Sequence, residues 1–182
     1  VFAIDVSKSM LAEDVAPNRL EKAKRIAFET INQLKGDRVG IVAYAASAYP
    51  QLALTTDHSA AKMFLQSMNT NMLSSQGTAI QEAIRMATNY FDDKSTTSRL
   101  LFIISDGEDH EMGATEIAAE AQEKGIHIYT IGVGTEKGSP IPMRELGEQS
   151  YKRDSNGEVV ITRLNKELLQ QIAINAGGQY LN

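Results

Sequence analysis

The sequence predicts an α/β fold, a doubly wound and mostly parallel sheet with helices on both faces. Three observations carry this. Six short runs rich in Val, Ile, Leu, Phe and Tyr read as strands, VFAI (1–4), RVGIVAY (38–44), YPQLAL (49–54), RLLFIIS (99–105), IHIYTIGV (126–133) and GQYL (178–181). Amphipathic stripes at helical spacing fill most of the intervals, which implies parallel pairing. The exception is the second interval: only Ala45 to Ala48 separate the second run from the third. A crossover needs a dozen residues or more, so the third strand runs antiparallel at an edge, where Pro50 is tolerated.

Each helix has its own signals. Leu20, Ala23, Ala27, Ile31 and Leu34 form the first stripe, with Asn18 as cap and Glu21 three residues on. Ala61, Phe64, Leu65 and Met68 form the second, opened by Asp57. Ile80, Ala83, Ile84, Ala87 and Phe91 form the third. Ile117, Ala118 and Ala121, closed by Gly125, form the fourth; Leu168, Leu169, Ile172, Ala173 and Ala176, closed by Gly177, form the fifth. The expected strand order is 3-2-1-4-5-6, a Rossmann-like sheet. Residues 1–182 read as a single domain. Residues 134–163 interrupt the alternation: GTEKGSPIPM reads as loop, and residues near 150–163 as a small surface hairpin turning at Asn156-Gly157.

Composition narrows the function. A net charge of −5 with no basic block argues against nucleic acid as a partner. No apolar run reaches the ~18 residues that cross a bilayer. With no cysteine, disulfides and thiolate chemistry are excluded. The chain starts inside a strand-like run without an initiator Met, so it reads as a fragment of a longer protein.

In an open α/β sheet, ligands sit beyond the carboxyl ends of strands, where the strand order reverses. Asp5 ends the first strand and Asp106 follows the fourth, neighbours in the expected order. If the chain stays extended after Asp5, Ser7 and Ser9 face the same crevice. Two carboxylates and two hydroxyls suit a hard divalent cation such as Mg2+, which takes oxygen ligands in octahedral geometry. Soft or imidazole ligation is not indicated, because His58, His110 and His127 are scattered and cysteine is absent.

Asp5-x-Ser7-x-Ser9, Thr78 in SSQGTA and Asp106-Gly107 together resemble the metal-ion-dependent adhesion site (MIDAS) of von Willebrand factor type A (VWA) domains. The resemblance covers nearly the whole chain, the antiparallel third strand included. The wording of LAEDVAPNRLEKAK, LTTDHSAAK, ISDGEDHE and YTIGVGTEKGSPIPM is similar to the Bat (Bacteroides aerotolerance) branch of bacterial membrane-anchored VWA proteins. It implies Ser7, Ser9 and Thr78 as direct metal ligands, with Asp5 and Asp106 often acting through water. It implies Mg2+ as the ion, with Mn2+ or Ca2+ as alternatives, and cation-mediated protein binding without catalysis. A partner's Glu or Asp would complete the coordination shell. Flanking segments, not this domain, would anchor the protein in the inner membrane, with the domain in the periplasm and its partners in a membrane-associated complex.

Around the five site residues, Met10, Gln76, Gly77 and Glu108 are candidates for partner contact, while Glu13 and Asp14 read as solvent-facing. Met10 and Leu11 are either an exposed contact patch or packed beneath the loop. Two other functions compete. One is a Mg2+-dependent phosphohydrolase with Asp5 as nucleophile, but the general-acid position two residues on is Ser7, which serves poorly near neutral pH. The other is a metal-free scaffold in a membrane complex. No P-loop, dinucleotide fingerprint or nucleophile elbow is present.

Overall fold

A computed structural model describes residues 1–73, 77–91, 97–109, 113–145 and 148–182. In chain order the elements are β1 (Phe2–Asp5), a 3-10 turn (Lys8–Leu11), α1 (Arg19–Gln33), β2 (Val39–Tyr44), β3 (Ala48–Thr55), α2 (His58–Ser67), α3 (Ile80–Thr88), β4 (Arg99–Ser105), α4 (Ala114–Glu123) and β5 (Ile126–Gly132). Four short strands follow, β6 (Ser139–Pro140), β7 (Pro142–Glu145), β8 (Glu148–Tyr151) and β9 (Ile161–Thr162), and then α5 (Lys166–Asn175) and β10 (Tyr180–Leu181).

The central sheet has the order β10-β5-β4-β1-β2-β3. That is the expected arrangement, with β10 as its sixth member. All pairings in it are parallel except β2 with β3, which is antiparallel and places Pro50 opposite Val42 on the edge strand. The four central strands are apolar on both faces because each face is covered. On one face Phe2, Ile4, Ile41 and Ile104 pack with Leu20, Ala27 and Ile31 of α1 and Leu65 of α2. On the other, Ala3, Val42, Leu101 and Ile128 pack with Ile80 and Ile84 of α3, Ala118 of α4, and Leu169 and Ile172 of α5. Each fully buried Ile, Leu, Val or Phe among them stabilises by about 1.5–3 kcal/mol.

The helix starts follow their sequence signals. The Asn18 side chain accepts from the Glu21 amide at 2.8 Å and Asp57 from the Ala60 amide at 2.9 Å. Asn165 caps α5 through the Leu168 amide at 3.2 Å. The third stripe overreaches: α3 ends at Thr88, and Phe91 lies beyond it.

Residues between β5 and α5 depart from expectation. The Asn156-Gly157 turn is present, with the Asp154 amide bonded to Glu158 O at 2.9 Å and Arg153 bridged to Val159. The GTEKGSPIPM segment is not loop throughout, since β6 pairs with β9 and β7 with β8. The stem of this insert is core rather than surface: Ile141, Thr162 and Leu164 are buried. Short two-residue pairings carry no strong periodicity, so sequence alone did not mark them as strands.

Candidate metal centre

β1 and β4 are parallel neighbours in the register Ile4 to Ile104. Asp5 therefore ends level with Ser105, and Asp106 lies one residue beyond. Both carboxylates are fully buried at this sheet edge. Asp5 Oδ1 accepts from the Ser7 amide at 2.8 Å, and Oδ2 from the Ser105 hydroxyl at 2.7 Å. Asp106 Oδ1 accepts from the Glu108 amide at 3.1 Å and Oδ2 from Arg19 Nη1 at 2.7 Å.

Ser7 is still extended, but the chain beyond it is not. Ser7 caps the 3-10 turn, and Ser9 lies within it. The two hydroxyls still converge, 2.9 Å apart, because the turn folds them together where alternation would have aligned them. Thr78 is buried in the loop before α3. The following amide, of Ala79, donates to Ala45 O at 2.8 Å, just past the end of β2 and beside β1. The fold thus links Asp5, Ser7 and Ser9 by hydrogen bonds, sets Asp106 beside them just past the end of β4, and carries Thr78 to the same edge.

Electrostatically, burial disfavours the charged form of both carboxyls. Burial first, and the Asp106 charge second, push Asp5 up to about 7, against the pull of the Ser105 and Ser7 hydrogen bonds. Burial raises Asp106 as well, although Ser9, Arg19 and the Glu108 amide draw it back. Among the described residues no group of three or more His, Asp or Glu forms a metal site. The donor set consists instead of two carboxylates and hydroxyls, all oxygen, which fits a hard divalent cation that would balance the charge.

The neighbouring candidates divide. Met10 is fully buried with Phe2, Ile4 and Leu20, so it is a core residue and offers no contact surface; Leu11 is half-buried. Gly77 has φ +113, a conformation that favours glycine, and lies half-buried beside Ala46. The Glu108 carboxylate accepts from the Arg163 amide at 2.8 Å, so it faces the insert. Gln76 lies outside the described residues. Glu13 is exposed, but Asp14 is not solvent-facing: it forms an ion pair with Arg19 and its side chain is 6% exposed.

Sequence reasoning missed Arg19, Ser105 and Thr162. Thr162 Oγ1 accepts from Arg19 Nη1 at 2.8 Å, and both side chains are fully buried. One signal for Arg19 was available. A cation at the first position of a helix opposes the macrodipole, so it calls for a carboxylate partner. No local pattern marks Thr162, which reaches the site from the insert.

The description of the von Willebrand factor type A domain family matches residues 1–108. BatB from Bacteroides thetaiotaomicron, a conserved hypothetical protein of known structure, is 46% identical, with a TM-score of 0.95 covering 99% of this chain and 87% of that one. An aerotolerance-related membrane protein from Bacteroides fragilis, solved with multiple mutations to serines, is 41% identical, with a TM-score of 0.95 covering 100% of this chain and 89% of that one. A UPF0353 protein of Mycolicibacterium paratuberculosis is 32% identical over 195 residues, covering 100% of this chain and 54% of the relative. The chain spans little more than half the length of the curated relatives it matches, 58% for those of Mycolicibacterium vanbaalenii and Mycolicibacterium gilvum. Among the described residues no helix is long and apolar enough to cross a membrane. On this fold, this ordered set of residues and these matches, the chain belongs to the von Willebrand factor type A domain family, in the branch that contains BatB.

Proposed function

We propose that this domain docks a partner protein through a bound divalent cation, Mg2+ in the first instance. The observation that carries the reading is the convergence of Asp5, Ser7, Ser9 and Asp106 at one sheet edge as a buried, oxygen-only donor set. Ser7, Ser9 and Thr78 would hold the ion, with Asp5 and Asp106 orienting them and balancing its charge. When bound, the cation supplies an electrophilic centre with a position free for a Glu or Asp carboxylate of the partner. Similarity to the Bacteroides fragilis aerotolerance-related membrane protein supports a membrane-associated setting; in this reading the anchor lies in flanking segments, the domain in the periplasm and its partners in the same complex.

The reading is a binding module rather than a phosphohydrolase. Both Asp5 oxygens accept hydrogen bonds, from the Ser7 amide and the Ser105 hydroxyl, which suits an orienting group better than a nucleophile. Titration calorimetry with MgCl2 tests the site: the parent chain gives a binding isotherm and Asp5→Ala does not. Capture of partners from detergent-solubilised membranes, with and without EDTA, tests the docking. Partners retained equally under EDTA would remove the cation-dependent role.

A further inference from the structure

Arg19 uses its entire donor set. Nε and Nη2 hold both oxygens of Asp14 at 2.9 and 2.8 Å, Nη1 donates to Asp106 Oδ2 at 2.7 Å and Thr162 Oγ1 at 2.8 Å, and Nη2 reaches Thr162 O at 3.0 Å. A guanidinium has five N–H donors in a rigid fork, and here each is committed. The side chain is fully buried.

These contacts reach both stems of the insert. On the entering stem, Asp14 Oδ2 accepts from the Thr135 amide at 2.8 Å and its hydroxyl at 3.0 Å. A Cβ on Gly134 would lie 2.7 Å from Arg19 Nε, so the stem passes directly against the guanidinium. On the leaving stem, Thr162 is held through both its hydroxyl and its carbonyl. The stems are also tied to each other, Leu164 N to Thr135 O at 3.0 Å, and to the site, Asn165 N to Asp106 O at 2.7 Å. With every donor engaged, a change in the tilt of Asp106 either breaks its bond from Arg19 or moves the guanidinium together with its Thr162 and Asp14 partners.

Stability alone is a poor reason for such a group, because apolar side chains of similar volume often replace a buried ion pair at no cost. The geometry points to Arg19 as a positioning residue that couples the Asp106 side of the cation site to both stems of the 134–163 insert, so that cation binding and the order of the insert are linked. This rests on the cation reading above. Linkage of this kind is reciprocal: what Mg2+ gains from an ordered insert, the insert gains from Mg2+.

The test uses variants that leave the charge count unchanged, since removing the Arg19 charge would by itself strengthen attraction for a cation. Thr162→Val deletes the hydroxyl, Thr162→Ser restores it, and Arg19→Lys keeps the charge but gives up the fork. Each is titrated with MgCl2 well below its unfolding midpoint, and amide exchange across the insert is followed by mass spectrometry with and without MgCl2. In the parent, Mg2+ binds and slows exchange in the insert. Thr162→Val and Arg19→Lys each weaken Mg2+ binding by about tenfold and abolish the Mg2+-dependent protection, as expected of a partner that orients a ligand. Thr162→Ser recovers both. A merely structural role would lower the unfolding midpoints and leave affinity and Mg2+-dependent exchange unmoved. Both variants binding Mg2+ within about twofold of the parent, with the insert still protected, would overturn the positioning role and leave the cation site standing. A parent that binds no Mg2+ would overturn the cation reading, and the positioning role with it.

Discussion

The Ser105 hydroxyl donates to Asp5 Oδ2 at 2.7 Å and accepts from the Gly107 amide at 2.9 Å, joining the end of β1 to the turn after β4. Both residues are fully buried, so deleting the hydroxyl leaves a carboxylate oxygen and an amide without this partner. Ser105→Ala is expected to cost about 1–3 kcal/mol in a urea unfolding series. It should also weaken Mg2+ binding, because Asp5 loses the bond that fixes its orientation. Unchanged values of both would remove Ser105 from the site.

Met10 separates packing from recognition. It directly follows Ser9 in the chain and is fully buried in the core between the sheet and α1. Met10→Ala should destabilise by about 2–5 kcal/mol through the cavity it leaves. Calorimetry on the folded variant should show Mg2+ affinity close to that of the parent. A surface contact residue would give the opposite pattern, with stability kept and partner capture lost.

Asp14 sets an acid dependence. Burial alone would raise its carboxyl, but hydrogen bonds from Arg19 and from the Thr135 amide outweigh burial and hold it below the ordinary carboxyl range. A carboxyl lowered on folding contributes stability that is full above its unfolded value and is lost as the pH falls through its folded value. The parent should therefore exceed Asp14→Asn in stability by a constant margin near neutral pH, on the order of 1–3 kcal/mol. That margin should shrink in acid, below the ordinary carboxyl range. Unfolding curves across pH check this; a margin that grows on acidification contradicts the assignment.

Much of the fold was legible because its signals are local. Asn18 and Asp57 cap where their spacing says, the short interval before Ala48 forces the antiparallel edge, and Asp5 and Asp106 end adjacent strands. What escaped was non-local. Arg19 meets Asp106 across 87 positions and Thr162 across 143. At the head of α1 the macrodipole says that such an arginine needs a carboxylate partner, but no local pattern says which one. The convergence of Ser7 and Ser9 was foreseen, but its cause was not. A 3-10 turn over Lys8–Leu11 replaces the extended strand, and that same turn directs Met10 into the core.

A crystal of this domain soaked in MnCl2, with data collected for Mn anomalous scattering, locates the bound cation directly. One strong peak is expected at the β1–β4 edge within direct coordination distance, about 2.0–2.3 Å, of the Ser7, Ser9 and Thr78 hydroxyl oxygens. No peak there in crystals where Mn2+ binds elsewhere, or Thr78 turned away from the Asp5–Asp106 cluster, would contradict the cation reading.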